Sequence, residues 1–256
     1  MKIASFNANG IRARMPVVLR WLEEQVPDVL CIQETKVQDS QFPVNAFEGA
    51  GYHSVFRGQK SYNGVAVLSR IPPVSACFGF NPDDDEQVRL ARIDFDRFTV
   101  VNTYVPQGQS PDSEKFQYKL DWLSRLRRYF ETGFGASDPL IWAGDFNIAP
   151  HPIDVYDPQA LAGSVCYHPL EHRALDAIRE LGFTDVYRKH KPDDPGFSFW
   201  DYRIPNALKR KLGWRIDHIW ATASAAEKSR NAWIDAEPRT WEKPSDHTFI
   251  VAVFDL

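Results

Sequence analysis

The sequence predicts an α/β fold in which mixed β-sheets are covered by helices. Short apolar runs that end in Gly, Pro, Asn or Asp dominate the chain, and about three amphipathic helical patterns are interleaved with them. No linker, low-complexity tract or short repeat interrupts the 256 residues. A chain of this length can bury a substantial core, so we expect one domain spanning residues 1–256.

The first half of the chain carries strand patterns around one short helix. Strands are predicted at residues 2–6, 28–33, 51–57 and 64–70, and a helix at residues 16–25. The third and fourth strands are separated by a short polar segment that is typical of a hairpin. Pro16 is expected near the first turn of the helix. Residues 81–86, which include four consecutive acids, are expected to form a solvated loop.

The second half alternates strands with two longer helices. Strands are predicted at residues 90–95, 98–105, 140–143, 214–221 and 248–254, and helices at residues 112–130 and 172–181. The longest helical pattern has apolar residues at three- and four-residue steps between Phe116 and Phe130. Gly182 is expected to end the other helix.

Residues 139–147, Pro-Leu-Ile-Trp-Ala-Gly-Asp-Phe-Asn, are the stretch around which the rest of the chain is organised. A short buried strand reaches Gly144 and is followed by Asp145 and Asn147, which would point to the same side of an extended backbone. Polar side chains at a strand end of an α/β protein indicate a functional site. Taken alone, the stretch is equally compatible with a turn in which both side chains bond their own backbone.

Composition excludes several classes of protein. No apolar run reaches membrane-spanning length, and the N-terminal residues lack the long apolar stretch of a signal peptide. Three widely spaced cysteines argue against a disulfide framework and against a zinc site. We therefore expect a cytoplasmic protein with reduced thiols and no membrane partner.

The charges are unevenly distributed along the chain. The formal net charge of −4 argues against a nucleic-acid partner, yet residues 187–215 hold eight Lys and Arg against three acids. A basic segment with aromatic residues is what contact with a phosphate backbone requires. The alternative is a solvated charged loop, which charge alone would favour.

Polar side chains gather at the predicted strand ends. They are carboxylates, amides, one imidazole and one tyrosine: Asn7, Glu34, Tyr104, Asp145, Asn147, Asp217, Asp246 and His247. Such an oxygen-rich set suits a hard divalent cation, Mg²⁺ or Mn²⁺, because clustered carboxylates repel one another without a cation or hydrogen bonds. A histidine beside carboxylates can act as a base or, when protonated, donate to a phosphate oxygen.

Six motifs around these residues resemble, in their order, the exonuclease III family of AP endonucleases within the endonuclease/exonuclease/phosphatase superfamily. They are Asn-Ala-Asn-Gly at 7–10, Gln-Glu-Thr-Lys at 33–36, Tyr-Val-Pro-Gln-Gly at 104–108, Gly-Asp-Phe-Asn at 144–147, Trp-Arg-Ile-Asp at 214–217 and Ser-Asp-His at 245–247. Each is weak alone, but six in this order and spacing across residues 1–254 are specific. The resemblance implies a four-layered α/β sandwich, two mixed β-sheets packed face to face with helices outside.

The resemblance also implies roles for the site residues. Mg²⁺, one or two ions with Mn²⁺ expected to substitute, would be bound mainly by Glu34, and the candidate ligands beside it are Asn7, Asp145, Asn147, Asp246 and His247. The implied catalytic residues are Tyr104, Asp145, Asn147, Asp217 and His247, with Asp217 holding His247 by a hydrogen bond. The general base can be either Asp145 or the His247–Asp217 pair, and its identity stays open. A purely structural role for Asn7 or Tyr104 also stays open.

Duplex DNA with abasic or 3′-blocked sites is the partner that the resemblance implies. A pocket for a flipped, base-less sugar would be formed by Phe199, Trp200, Trp214 and Ile216. DNA contacts would come from Lys36, Arg70, Gln107, Arg203, Lys209, Arg210 and Lys211. The alternatives are that the aromatic residues are core and that residues 206–211 form a mobile exposed loop. Some relatives carry an arginine that enters the duplex, whereas this sequence has Gln109 and Ser110 at that place. Insertion of a side chain into the duplex is therefore in doubt for this chain.

We therefore expect a monomeric Mg²⁺-dependent DNA-repair nuclease. It would cut 5′ to abasic sites, leave a 3′-hydroxyl, remove 3′ blocking groups and degrade duplex DNA from the 3′ end. The alternatives are an inositol-lipid phosphatase, a nonspecific DNase and a catalytically inactive RNA-binding protein on the same fold. The full order of motifs favours the repair enzyme, and the complete set of site residues argues against the inactive binder.

Overall fold

A computed structural model describes residues 1–80, 87–135 and 137–256, so the predicted acidic loop at 81–86 lies outside the described residues. The described strands are β1 (Lys2–Asn7), β2 (Val29–Gln33), β3 (His53–Arg57), β4 (Val65–Ser69), β5 (Ser75–Phe78), β6 (Leu90–Asp94), β7 (Thr99–Tyr104), β8 (Leu140–Asp145), β9 (Phe183–Asp185), β10 (Asp217–Thr222), β11 (Ser229–Asp235) and β12 (Phe249–Phe254). The described α-helices are α1 (Ile11–Gln25), α2 (Val44–Gly49), α3 (Glu114–Gly133), α4 (Pro169–Arg179), α5 (Val186–His190) and α6 (Ala223–Ala226). No helix in this part of the chain is long and apolar enough to cross a lipid bilayer.

The strands form two six-stranded mixed sheets. Their orders are β11-β12-β1-β2-β4-β3 in the first sheet and β5-β6-β7-β8-β10-β9 in the second. β1 pairs with β2, and β7 with β8, in parallel, whereas the other described pairs are antiparallel. The predicted hairpin is present as β3 and β4.

Three apolar layers hold the molecule together. The largest lies between the sheets and includes Val67 from the first sheet and Ile141 from the second. A second layer packs the outer face of the first sheet against α1 and α2, through residues such as Trp21. A third packs the second sheet against α3 and α4, through Leu126 and Ile178. This arrangement confirms the four-layered α/β sandwich with helices outside.

The first helix is longer than predicted. α1 begins at Ile11, so Pro16 lies inside the helix and not in its first turn. Ile11 and Met15 extend the apolar face that continues through Val18 and Leu22, and burial of this face offsets the hydrogen bond that proline cannot donate. The exposed side of the helix carries Pro16.

Three strands were not predicted, and one starts later than expected. β5, β9 and β11 lie at the edges of the sheets, where a strand is exposed along one side and needs no strong apolar pattern. The predicted strand at residues 214–221 begins only at Asp217, and Trp214 instead makes isolated bridges to Val155 and Phe199.

Candidate active site

The predicted polar residues meet at one end of the sandwich. The parallel pairs β1–β2 and β7–β8 end there, in residues that include Asn7 and Asp145. β10 and β12 run in the opposite direction and begin at the same end, where Asp217 pairs with Asp145. The topology therefore gathers the whole set: Asn7, Glu34, Tyr104, Asp145, Asn147, Asp217, Asp246 and His247.

Asn7 joins two carboxylates. Its buried amide nitrogen lies 2.8 Å from Oε1 of Glu34 and 2.8 Å from Oδ2 of Asp145. Its oxygen accepts the backbone N–H of Asn9 at 2.9 Å. Because the nitrogen faces the carboxylates, Asn7 is a hydrogen-bond donor in this structure, and its role as a metal ligand stays a prediction.

Asp145 is the last residue of β8 and is buried beside other acids. Its Oδ2 lies 3.8 Å from Nε2 of His247, and its Oδ1 accepts the backbone N–H of Asn147 at 2.9 Å. Burial raises the pKa of Asp145 to about 7; the charges of Asp217 and Glu34 add to the shift, while His247 and the Asn7 bond oppose it. A carboxyl with a pKa near neutrality is suited to proton transfer.

Asn147 reaches Asp145 by a turn and not by an extended strand. β8 ends at Asp145, and Asn147 has a left-handed backbone with φ of +50°. Its amide nitrogen donates to the carbonyl of Val105 at 2.9 Å and to Oδ2 of Asp145 at 3.2 Å. The two side chains meet as predicted, but only Asp145 also bonds the adjacent backbone, since the partner of Asn147 lies on the neighbouring turn after β7. The role of Asn147 as a metal ligand stays a prediction.

His247 is held by Asp217. Nδ1 of His247 lies 2.8 Å from Oδ2 of Asp217, and that oxygen also accepts the hydroxyl of Ser198 at 2.7 Å. Burial lowers the pKa of His247, but Asp217 and Asp145 overcome this and raise it to about 10. The imidazole is therefore a cation that donates through Nδ1 and directs Nε2 toward Asp145. Ser198 carried no signal in the sequence, since it lies in an aromatic stretch without a motif.

Glu34 is paired with the ammonium of Lys36, and Asn9 connects that ammonium to Asp246. Nζ of Lys36 lies 2.7 Å from Oε2 of Glu34 and 2.5 Å from Oδ1 of Asn9. The amide of Asn9 in turn donates to Oδ1 of Asp246 at 3.0 Å. The ammonium of Lys36 is thus paired with Glu34 in this structure, and its contact with DNA phosphates stays a prediction.

These residues fit a hard divalent cation. Among the described residues, candidate ligand atoms of Asp145, Asp217 and His247 lie within 4.8 Å of one another, and since the ring of His247 is protonated the two carboxylates supply the donors. Oδ1 of Asp217 is buried and has no hydrogen-bond partner in the part of the chain that the structure describes. With the oxygens of Glu34 and Asp246 nearby, the donor set matches the ligands that Mg²⁺ or Mn²⁺ prefers.

Tyr104 ends β7 with its hydroxyl at the same carboxylates. Burial raises its pKa well above the usual value, and the charges of Glu34 and Asp145 and a hydrogen bond to Glu34 add to the shift. The hydroxyl therefore stays protonated and is a donor.

A cavity of about 600 Å³ opens directly onto these groups. Part of its wall carries Glu34, Asp145, Asn147 and His247, and a neighbouring part is apolar, with the ring of Phe199 4.8 Å from that of His247. The apolar wall contains three predicted pocket residues and several that were not predicted: Phe199, Trp214, Ile216, Tyr156, Leu161 and Val165. The last three belong to an irregular segment with no sequence pattern that marks it as a cavity wall.

Trp200 does not belong to this wall, which corrects its assignment to the pocket. Phe199 lines the cavity, and the next side chain of the extended backbone points the other way. Trp200 is buried against Gly213 and beneath the guanidinium of Arg239. It is a core residue, and so is Trp220 on β10.

The predicted DNA contacts fall into three groups. Gln107 and Arg203 line the cavity. Lys209, Arg210 and Lys211 are exposed in the irregular segment before β10. Arg70 follows β4 at the opposite end of the first sheet, because Ser69 pairs with Val29 while Val65 pairs with Gln33. Five residues of strand separate it from the site, about 16 Å, so the structure does not bring Arg70 to the cavity.

A second buried charge network supports the site from behind. Arg215 contacts Asp154 at 2.6 Å and Asp185 at 2.8 Å, and its NH1 donates to Nδ1 of His218 at 3.0 Å. Since a guanidinium can only donate, His218 must carry its proton on Nε2, which donates to the carbonyl of Ile148 at 2.8 Å. The arginine of the Trp-Arg-Ile-Asp motif thus fixes the turn that follows Asp145.

Cleavage of a phosphate ester needs a proton acceptor for water, donors to the phosphoryl oxygens and compensation of negative charge. Asp145, the His247–Asp217 pair and the cation site provide these within one cavity. The fold and the site therefore define the chain as a phosphodiester hydrolase of the metal-dependent nuclease class.

Comparison with known proteins gives the particular family. Residues 4–247 match the Endonuclease/Exonuclease/phosphatase family model, and the chain belongs to this family, in its exonuclease III and AP endonuclease branch. Exodeoxyribonuclease III of Haemophilus influenzae is 36% identical over 267 residues, covering 99% of this chain and 100% of the relative. The solved AP endonuclease of Archaeoglobus fulgidus is 46% identical with a TM-score of 0.97, and the 3′ phosphatase NExo of Neisseria, bound to a product DNA hairpin, is 36% identical with a TM-score of 0.95. Both structural matches cover 100% of each chain.

Proposed function

We propose that this chain is a Mg²⁺-dependent DNA-repair nuclease that hydrolyses the phosphodiester 5′ to an abasic site and leaves a 3′-hydroxyl. It also removes 3′ blocking groups and acts as a 3′-to-5′ exonuclease on duplex DNA. The observation that carries the proposal is the cavity itself, in which catalytic carboxylates lie beside an apolar wall. Relatives named as exodeoxyribonuclease III, AP endonuclease and 3′ phosphatase support it.

Asp145 is the general base in this proposal. Its pKa of about 7 suits it to take a proton from water, whereas His247, with a pKa of about 10, is already protonated. His247 then donates from Nε2 to a phosphoryl oxygen, and Asp217 keeps the ring oriented. Tyr104 donates to another phosphoryl oxygen. The amide protons of Asn147 bond Val105 and Asp145, so Asn147 orients the base.

Mg²⁺ would be held by Glu34 and Asp246, with the carboxylates of Asp145 and Asp217 and the ring of His247 close by. When bound, it supplies positive charge to the phosphoryl oxygens and to the leaving 3′-oxygen. The ammonium of Lys36 lies 2.7 Å from Oε2 of Glu34 and would share this carboxylate with the ion. We propose Mn²⁺ as an effective substitute, since it prefers the same ligands.

Selectivity for abasic sites comes from the apolar wall. A nucleotide that has lost its base is the easiest to extrude from a duplex, because no pairing and little stacking oppose the movement. Its sugar can then pack against Phe199, Trp214 and Ile216 while the 5′ phosphate reaches Asp145. Arg203 lines this cavity, and Lys209, Arg210 and Lys211 are exposed in the segment that follows it. These four residues would contact the backbone of the duplex without reading its sequence.

The test is cleavage of a labelled duplex that contains one abasic analogue, beside an intact duplex, with Mg²⁺, with Mn²⁺ and with EDTA. We expect metal-dependent cleavage 5′ to the lesion and much slower loss of 3′ nucleotides from both duplexes. Equal degradation of both duplexes would remove the selectivity proposal and leave a nonspecific DNase. No cleavage with either metal would remove the nuclease proposal for this chain.

We further propose that residues 1–256 act as one catalytic domain, as a monomer, in a reducing cytoplasm. Cys31 and Cys166 are buried free thiols and Cys77 is an exposed one, which suits a reducing compartment. Light scattering during gel filtration, with and without the abasic duplex, would test the monomer.

A further inference from the structure

A buried ion pair lies behind the cavity wall. Lys119 on α3 and Glu171 on α4 have no exposed side-chain surface, and Nζ lies 2.5 Å from Oε1. The desolvation cost of two buried charges largely offsets their attraction. A protein with well-packed apolar side chains in their place is often at least as stable. The pair therefore has to be understood from what else it contacts.

The ammonium of Lys119 uses all three of its N–H donors. Besides Glu171, it donates to the carbonyl oxygen of Asn147 at 2.7 Å and to that of Gln107 at 3.1 Å. Asn147 follows β8 and Gln107 follows β7, and both residues line the cavity. One buried cation thus connects the two turns that leave the centre of the second sheet.

The carboxylate of Glu171 is equally occupied. Its Oε1 accepts the backbone N–H of Cys166 at 3.1 Å, and its Oε2 accepts that of His168 at 3.0 Å. Cys166 lies in the cavity wall next to Asn147, with Sγ 3.9 Å from Oδ1 of that side chain. The ion pair therefore joins three segments of the wall from behind.

Asn147 is the residue most dependent on this support. Asn147 has a left-handed backbone, and its carbonyl would be buried without a partner if the ammonium were absent. We propose that Lys119, neutralised by Glu171, is a positioning residue: it fixes Asn147, and through Asn147 the carboxylate of Asp145. This inference rests on the proposed nuclease function, since the reaction it serves is the one that Asp145 performs.

The kinetic test replaces Lys119 with methionine, which fills a similar volume without a donor. A displacement of about 1 Å can cost about 10²-fold in rate, so the single-turnover cleavage rate of K119M should fall by about that factor while its affinity for the abasic duplex changes little. In an Asp145→Asn background the same substitution should cost almost nothing further, because the carboxylate that Lys119 positions is gone. An equal loss in both backgrounds would overturn the proposal.

Lys189, an exposed lysine away from the cavity, provides a control. Its ammonium also donates to a backbone carbonyl, that of Ala226, and to the hydroxyl of Ser229. Ser229 pairs with Phe254 at the far end of the first sheet, so K189M should keep the wild-type cleavage rate even if it lowers the melting temperature. A similar rate loss in K189M and K119M would show that the loss comes from general destabilisation. That result would contradict the proposal that Lys119 is a positioning residue.

Hydrogen exchange gives a readout that needs no substrate. Amides of residues 105–109 and 145–149 should exchange faster in K119M than in wild type or K189M, and unchanged exchange there would refute the inference. If K119M does not fold, Glu171→Gln tests the same pair, because its amide nitrogen cannot accept the N–H of His168. Failure of wild type to cut the abasic duplex would overturn the proposed function alone, since the exchange result stands independently.

Discussion

Asp145 combines a catalytic group with an unfavourable environment. It is a buried carboxylate beside two other acids, Glu34 and Asp217, and burial already raises its pKa. Asp145→Asn removes the charge and keeps the shape, so we expect the single-turnover cleavage rate to fall about 10²–10⁴-fold. In EDTA, calorimetry should find the melting temperature unchanged or higher, since a buried repulsion has been removed.

The outcome also separates the two possible bases. A variant that retains most of the wild-type rate would contradict Asp145 as the base and transfer that role to the His247–Asp217 pair. The control is Asp176→Asn on the exposed side of α4, which should change neither the rate nor the affinity for DNA.

The position of a single side chain could be predicted where a motif identified the residue. It could not be predicted where it depended on the backbone conformation. The proximity of Asp145 and Asn147 was predicted, but the reason was wrong, because a left-handed turn brings them together and not an extended strand. Lys119 had a signal that was overlooked: it lies between Phe116 and Leu123 on the apolar face of a predicted helix, where a lysine needs a buried partner. Its partner Glu171 is 52 positions away, beyond the reach of any local pattern.

At the scale of an element, β8 depends on a close approach to its neighbour. Gly144 has φ of +147°, and a Cβ there would overlap the carbonyl oxygen of Thr103 on β7. Gly144→Ala should therefore destabilise the protein by at least about 3 kcal/mol, through strain and a clash within a fully buried parallel pair. Chemical denaturation would measure the loss.

Gly182 is the matched control for backbone strain alone. It also has a positive φ, +104°, at the end of α4, but a Cβ there would meet nothing within 4 Å. Gly182→Ala should cost about 1–2 kcal/mol. Equal losses for the two variants would show that the contact with Thr103 is relieved by a shift of the strands.

The basic segment before β10 is expected to set the salt dependence of DNA binding. Replacing Lys209, Arg210 and Lys211 together with alanine should weaken binding and reduce the slope of log K against log salt by about 1 for each phosphate that is no longer neutralised. Titration of a fluorescent abasic duplex in EDTA would measure both quantities. Arg70→Ala, at the other end of the sheet, should leave them unchanged, and an equal effect would contradict the proposed path of the duplex.

The positions of helices and strands were easier to predict than the side chains that each of them directs into the core or the cavity. The strands at the centre of each sheet were predicted from apolar runs, whereas the edge strands β5, β9 and β11 had no such runs because they bury fewer side chains. The same limit applies to Phe199 and Trp200: two adjacent aromatic residues were expected in the pocket, but alternation along an extended segment sends one into the core. The sequence alone does not show whether Phe199 or Trp200 points into the core.

At the scale of the whole molecule, the buried network of Arg215 should contribute a loss of stability in mild acid, opposite in sign to the contribution of Asp145. Burial lowers the pKa of His218 to about 3; Arg215 adds to the shift, while Asp185 and Asp154 oppose it. Between pH 6.5 and 3 the unfolded chain therefore binds a proton that the folded chain does not, and stability is lost as the pH falls. This single group contributes a slope of about 1.4 kcal/mol per pH unit.

A His218→Gln variant tests this slope. Glutamine can accept from Arg215 and donate to the carbonyl of Ile148 without titrating, so its unfolding free energy should fall less steeply between pH 6.5 and 4.5. His53→Gln, on the exposed edge strand β3, should keep the wild-type dependence. If the two variants behave alike, the acid sensitivity arises elsewhere.

The active site draws its residues from both sheets and from positions 7 to 247 of the chain. Contacts between residues so distant in sequence form late, because the entropy of closing long loops must be overcome before they stabilise anything. In a refolding experiment, helical circular dichroism should therefore recover first. Cleavage activity should return only with the slowest phase, so a partly folded chain could not cut DNA before its own assembly is complete.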